Sequence, residues 1–328
     1  MEKHVSILIP KGHSSLVNIV GTHQLFNQVN GFLKEQGKPP IFKVELVGLE
    51  KPTLQTNGLF SVNPEKHIDE ISHTHLIIIP AIHDDFKRTF QQNQEFTPWL
   101  QKQYKQGAEI ASLCVAAFYL ASTGLLNGKQ CSTHWIHASE FRRMFPKVNL
   151  VDDQIMTEDD GIYTSGGAYS YLNLLLYLVE KYAGREMAII SAKTFMNDID
   201  KYSQSQFIMF RGQKDHEDLL IKQVQEFLEQ HFENSIVVAQ IAEKFAISRR
   251  SLERRFKKAT NNTIIEYLQR VKIEAAKRKF ETSRQNVSEV MYDVGYSDEK
   301  AFRSTFRKVT GISPVQYRNK YNITRIDA

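Results

Sequence analysis

Cationic side chains recur at helical spacing twice near the end of this 328-residue chain. Arg250, Arg254 and Lys257 follow one another in the first segment, and Lys300, Arg303 and Arg307 in the second. Guanidinium and ammonium groups are donors only. A row of them on one helix face suits phosphate oxygens and the acceptor edge of guanine. The other face is apolar at i, i+4 and i+7: Leu252, Phe256 and Ala259, then Phe302, Phe306 and Val309. This spacing predicts one buried stripe per helix. Ser248 and Asp298, both good N-cap residues, mark the two starts. The segments align residue by residue, Lys258 with Lys308 and Thr260 with Thr310, so the pattern is a duplication. A short helix and a tight turn before each copy complete a helix-turn-helix layout, and two copies imply two recognition helices. Singly, any of these arginines reads equally well as solvated surface, and Glu253 could pair with Lys257 at i+4.

A second site of chemistry is Cys114. It closes the strand-like run "AEIASLC" and stands directly before the helix-like run "VAAFYLASTGLL". A strand–turn–helix corner is where nucleophile elbows are built, and helix N-terminal amides favour a thiolate there. The plainer reading is a small buried apolar residue. The chain has seven histidines among its first 83 residues, but none shows ligand spacing within an element; His73 and His75 share one strand face as a weak signal only. No metal site, phosphate-cradling glycine loop or cofactor is expected.

These residues must be held by two kinds of scaffold. From the start, apolar strand-like runs alternate with helical ones: "VSILIP", a helix from about 15 to 36, "FKVELVGL", "HLIIIPA", a helix capped at Thr97-Pro98, the Cys114 corner, "KQCSTHW", "ASEFRRMF", short strands near 148–152 and 161–165, and a helix from about 168 to 182. Continuous apolar strands between helices predict a parallel sheet covered on both faces. Beyond about residue 192 the pattern loosens, and from Leu219 onward every segment reads helical, with "TIIEYLQRVKIEAAKRKF" as one long helix between the repeats. Charge follows the same division. Residues 217–328 carry 21 Lys and Arg against 15 Asp and Glu, whereas residues 1–216 carry 21 against 22. The cationic excess sits wholly where phosphate binding would need it. Two cysteines make no disulfide framework and fit a reducing cytosol, and no run is long enough for a signal peptide or a membrane span. A cytoplasmic location is expected.

The stretch "VGYSDEKAFRSTFRK" followed by "VTGISPVQYR" resembles the signature of AraC/XylS-type transcription regulators, over roughly residues 219–321. That resemblance implies two recognition helices entering successive major grooves. Carried over by position, Arg250, Glu253, Arg254, Lys300, Arg303 and Ser304 would read bases. Arg249, Arg255, Lys257, Lys258, Arg307 and Lys308 would contact phosphates, which position without specifying. The first half, through the Cys114 corner, the "THW" strand and "GIYTSGGAYSYLNLLLYLVEKYAG", resembles the class I glutamine amidotransferase-like superfamily, and more narrowly the intracellular-protease-like domains fused to such regulators. In enzymatic relatives a carboxylate after the first strand and often a histidine beside the cysteine assist it. Here Val115 follows Cys114, the loop "KGHSSLVNIVG" has no acid, and Asn18 and Asn173 stand where acids are expected. A thiol without such partners is a poor hydrolytic nucleophile. The resemblance therefore implies a non-catalytic pocket walled by Cys114, with Asn18 and His134 as polar contacts, in the crevice beyond the strand ends.

The expected architecture is α/β, a flavodoxin-like sandwich with a mostly parallel sheet, plus an all-α C-terminal domain with two helix-turn-helix motifs. Residues 1–192 would form the sensor and dimerisation domain, 193–216 an interdomain segment, and 217–328 the DNA-binding domain. Expected partners are double-stranded promoter DNA, a small-molecule effector, a second copy in a homodimer, and RNA polymerase. The rival expectation is a cysteine-dependent amidase or hydrolase tethered to DNA.

Overall fold

A computed structural model describes residues 2–83, 85–198, 203–210, 212–214 and 216–322. The chain forms two compact units, residues 1–204 and 205–328. Their boundary falls inside the stretch expected to join them. Gln204 closes the first unit and Ser205 opens the second.

The first unit is built on a seven-stranded sheet of order β10-β11-β7-β6-β1-β2-β5. Its strands are β1 (Lys3–Ile9), β2 (Phe42–Gly48), β5 (Lys66–His67), β6 (Leu76–Ile79), β7 (Glu109–Ser112), β10 (Met156–Asp159) and β11 (Ile162–Ser165). All neighbours run parallel except the β10–β11 hairpin. Two minor ribbons flank it: β3 (Thr53–Gln55) with β4 (Phe60–Val62), and β8 (Gln130–Cys131) with β9 (Asn149–Leu150). Because strand side chains alternate, β1 sends Val5, Ile7 and Ile9 to one core and Leu8 to the other, and β6 divides Leu76 and Ile78 from Ile77 and Ile79. The first core is closed by helices α1 (Leu16–Glu35), α6 (Tyr171–Ala183) and α7 (Arg185–Thr194). The second is closed by α2 (Phe86–Gln92), α3 (Phe96–Lys105), α4 (Ala116–Ser122) and α5 (Ala138–Met144). This is the flavodoxin-like sandwich that the strand–helix alternation predicts.

Three local expectations shift. Helix α3 starts at Phe96 with Glu95 as its cap, so Thr97 is not the cap. Pro98 lies inside the first turn, where its missing N–H has no intrahelical partner to lose. The "KQCSTHW" run gives only the two-residue β8, outside the main sheet. There the Ser132 hydroxyl donates to Gln154 O (2.6 Å) and Thr133 Oγ1 to Cys114 O (3.2 Å), side-chain bonds that replace a ladder. His73 and His75 precede β6 instead of lying on it, and His75 Nδ1 accepts the His4 backbone N–H at 3.1 Å.

The second unit is all helical: α8 (Leu219–Gln230), α9 (Val238–Lys244), α10 (Arg249–Thr260), α11 (Ile264–Thr282), α12 (Val287–Asp293), α13 (Glu299–Thr310) and α14 (Pro314–Tyr321). It has two cores. Ile221, Val224, Leu228, Ile241, Leu252 and Phe256 pack with Ile264 and Tyr267 of α11. Val290, Val294, Phe302, Phe306 and Tyr317 pack with Ile273, Ala276 and Phe280 from the other half of the same helix. The long helix thus belongs to both helix-turn-helix modules and fixes one against the other.

Candidate functional site

The two candidate recognition helices, α10 and α13, have the same construction. Ser248 Oγ accepts the Ser251 N–H (3.3 Å) and Asp298 Oδ1 accepts the Ala301 N–H (2.6 Å). Each supplies one partner to the unsatisfied donors of its first turn. Each helix ends in a left-handed cap, Asn261 at φ 56° and Gly311 at φ 79°. Their burial runs in step at an offset of fifty residues: Leu252, Phe256 and Thr260 are buried, as are Phe302, Phe306 and Thr310. The threonines, not Ala259 and Val309, complete the stripe. Their hydroxyls reach the carbonyls of Phe256 and Phe306 at 2.8 Å, so a polar residue is buried without an unmade bond.

Arg249, Arg250, Glu253, Arg254, Lys257 and Lys258 are exposed on α10, and Lys300, Arg303, Ser304, Arg307 and Lys308 on α13. Within each helix one ion pair recurs with its charges exchanged. Arg249 Nε meets Glu253 Oε1 at 2.9 Å, and Arg303 Nε meets Glu299 Oε1 at 2.7 Å. Glu253 is therefore paired with Arg249 and not with Lys257, which lies 3.8 Å from Glu266. Exposed i,i+4 pairs contribute about 0.3–0.5 kcal/mol, little against a base contact of about 1–3 kcal/mol, so Glu253 and Arg303 are easily released.

Arg255 departs from the expected phosphate role. It is half-buried, and its guanidinium makes a two-pronged contact with the Asp218 carboxylate, at 2.9 and 2.5 Å. That contact, chiefly, holds the Asp218 carboxyl below the usual carboxylate range. Asp218 also caps α8 through the Ile221 N–H, so the Arg255 pair ties α10 to α8.

The turns before the recognition helices differ. In the second module Gly295 adopts φ 73°, and a Cβ there would lie 2.0 Å from the Glu233 carbonyl oxygen. Lys272, buried on α11, donates to Gly295 O at 2.8 Å and locks the turn. In the first module Ala246 takes the equivalent left-handed place at φ 49°.

In the first unit Cys114 occupies the expected elbow, with φ 57° between β7 and α4. Its N–H donates to Ser165 Oγ at 3.1 Å, and its carbonyl accepts from Thr133 Oγ1. The expected thiolate is not favoured. Burial pushes the thiol up to about 11, and the Val115 N–H only partly opposes it. Thr133 links the elbow directly to His134, whose Nδ1 accepts the Ile136 N–H at 3.3 Å and caps a short 3₁₀ turn. His134 is shifted towards the neutral form, first by burial and then by the neighbouring His137 and His83. Asn18 lies on α1, 2 % exposed, and its Oδ1 accepts the Ala81 N–H at 3.1 Å. It therefore pins α1 to the loop after β6, and its carbonyl oxygen is already engaged. Sequence reasoning missed His83 and His137, which share this edge with His134. His83 follows β6, a strand-end position that marks a ligand crevice in parallel sheets and could have flagged it, whereas His137 lies in the 3₁₀ turn that His134 caps. Among the described residues no group of three or more His, Cys, Asp or Glu could hold a metal ion.

The pattern that defines the DJ-1/PfpI family matches residues 5–181, more than half of the chain. The chain belongs to the DJ-1/PfpI family. In this member a helix-turn-helix domain pattern also matches residues 241–320. It is 26% identical over 222 residues to the HTH-type transcriptional regulator ArgR of Pseudomonas aeruginosa, covering 67% of either chain. It is 23% identical to the regulator CdhR of the same organism over 81% of this chain and 78% of CdhR. With GbdR, another P. aeruginosa regulator, the match covers 60% of that protein. Solved structures agree on the fold of the first unit. Drosophila melanogaster DJ-1beta superposes with a TM-score of 0.50 at 17% identity, over 60% of this chain and all of that one. An AraC family transcriptional regulator from Pseudomonas putida gives 0.50 at 16% identity, over 59% of this chain and 99% of that one. This DJ-1/PfpI chain thus joins an α/β domain to an AraC-type helix-turn-helix domain, the arrangement of a DNA-binding transcription regulator. No helix among the described residues is long and apolar enough to cross a membrane.

Proposed function

We propose that this DJ-1/PfpI chain is a cytoplasmic transcription regulator that reads promoter DNA with α10 and α13 and receives its signal, without turnover, in the crevice beside Cys114. The carrying observation is the matched register of the two recognition helices, buried and exposed at equivalent positions fifty residues apart. Arg250, Arg254, Lys300 and Arg303 are the proposed base readers, with Glu253 and Ser304 beside them. Arg249, Lys257, Lys258, Arg307 and Lys308 are the proposed phosphate contacts. A small effector held among Cys114, His134 and the neighbouring histidines would change how two copies in a homodimer present their DNA-binding units. That change would alter which operator half-sites both reach and how RNA polymerase is met.

One observation favours the rival hydrolase, the left-handed elbow at Cys114. The raised thiol and a loop after β1 without a carboxylate weigh against it. A gel-shift series over 50–200 mM salt, using DNA upstream of the chain's own gene, tests the assignment of contacts. Arg250→Ala and Arg303→Ala should cost about 1–3 kcal/mol each and lose discrimination against unrelated DNA. Lys258→Ala should weaken all sequences alike and flatten the salt slope by about one unit. Equal loss on specific and unrelated DNA for all three would overturn the assignment of readers.

A further inference from the structure

The DNA-binding unit contains a pocket of about 220 Å³, none of whose lining residues lies on α10 or α13. Its back wall is one stripe of α11, with Val271 and Ala275 supplying the apolar floor. Phe210, on the strap that precedes α8, and Phe232, just after α8, supply aromatic sides. Two described residues of the strap are anchored. Lys277, buried on α11, donates to Ile208 O at 2.5 Å, and buried Gln225 donates to Gln213 O at 3.1 Å. Gly212 lets the strap pass close to Tyr267, because with φ 70° any Cβ there would lie 2.5 Å from the Tyr267 hydroxyl.

The charged residues of the lining are two acids, Glu229 and Glu274, and one base, Arg278. Glu229 accepts from the Tyr267 hydroxyl at 2.6 Å and from Lys214 at 2.7 Å. Glu274 accepts from the Phe210 N–H at 3.1 Å and from Lys277 at 2.9 Å. Both acids are thus already compensated. Arg278, one turn beyond Glu274 on the same stripe, has no carboxylate partner among the described residues. We propose that this pocket is a second effector site that binds a compact aryl-alkanoate, its carboxylate on Arg278 and its ring between Phe210 and Phe232. A guanidinium can engage a carboxylate through two parallel N–H bonds, which supplies orientation as well as attraction. The volume is below the roughly 300–1,000 Å³ of drug-sized sites, so the ligand is a small metabolite of one ring and a short acidic chain. Bound there, it would hold the strap on the one helix that both modules share. This inference rests on the pocket and not on the crevice beside Cys114.

Calorimetric titration of the full chain with sodium phenylacetate tests it, with phenylacetamide as the uncharged control. One saturable site per chain is expected, weakened about tenfold by Arg278→Gln or by using the amide. Ala275→Leu, which fills the floor, should abolish binding while circular dichroism confirms the fold. Absence of saturable binding, or binding indifferent to both substitutions, overturns the proposal. Promoter binding measured on the same samples separates the two readings. Wild-type chain that shifts DNA but ignores phenylacetate contradicts this inference alone.

Discussion

At the scale of single residues, Cys114 shows that geometry and reactivity separate. The backbone is that of a nucleophile elbow, but the sulfur is desolvated, and desolvation disfavours the charged form. With the thiol near 11, roughly one molecule in a thousand carries the thiolate at pH 8. Cys131 is buried as well and pushed up to about 12. Iodoacetamide should therefore alkylate the native chain at pH 8 about a hundredfold more slowly than the urea-unfolded chain, gaining about tenfold per pH unit up to pH 10. A native rate equal to the unfolded rate would contradict the buried, neutral thiol. The sign for stability follows. Both thiols titrate higher in the folded chain than the ~8.5 of an unfolded one, so their contribution is complete below pH ~8 and is lost as pH rises towards 11–12. Asp218 behaves in the opposite sense. Its carboxyl is held low by Arg255, so its contribution is present above pH ~4 and is lost as pH falls through the depressed value. Asp218→Ala removes a helix cap as well as that partner, and the cap alone contributes about 1 kcal/mol, which chemical denaturation of the full chain should register.

At the scale of elements, the two helix-turn-helix modules are alike except at the turn. Ala246 adopts a left-handed conformation that costs an L-residue about 1–2 kcal/mol, whereas Gly295 adopts it freely. Ala246→Gly should accordingly stabilise the unit by about 1 kcal/mol. Gly295→Ala should destabilise it by more than that, since its Cβ would collide with the Glu233 backbone. Denaturant midpoints of opposite sign for the two variants check this. Much of this unit was legible from sequence, because its caps, its i, i+4 apolar rows and its cationic faces are local signals. Arg255 was not, since its partner Asp218 lies 37 residues away and only the fold brings them together. In the first unit the long parallel strands and α1 and α6 follow from continuous apolar runs. The β3–β4 ribbon, β5 and β10 are short, mixed in polarity and defined by their neighbours, so no periodicity announces them. Asn18 was expected as a polar contact of the pocket, and its bond to the Ala81 backbone could not be read from residue type. The strap before α8 reads as loose polar chain for the same reason. Ile208 and Gln213 of the strap are held by buried Lys277 and Gln225, which local sequence does not reveal.

At the scale of the whole molecule, one polypeptide carries two candidate recognition helices, α10 and α13. Helix α11 contributes its first half to one core and its second half to the other, so the modules are joined by packed structure and not by a flexible tether. The cationic excess is confined to residues 217–328. Removing the shared helix's hold on the strap by Lys277→Ala would leave Glu274 without its cation in a buried setting. A loss of about 3 kcal/mol in stability is expected from calorimetry of the full chain. The central claim is that α10 and α13 each read their own stretch of DNA. Hydroxyl-radical footprinting of the full chain on its promoter, with Arg250→Ala and Arg303→Ala compared separately, tests it most directly. Two protected stretches about one helical turn apart, ~10 base pairs, are expected, with each substitution weakening one stretch before the other. A single protected stretch, or identical loss across the whole footprint from both substitutions, would contradict it.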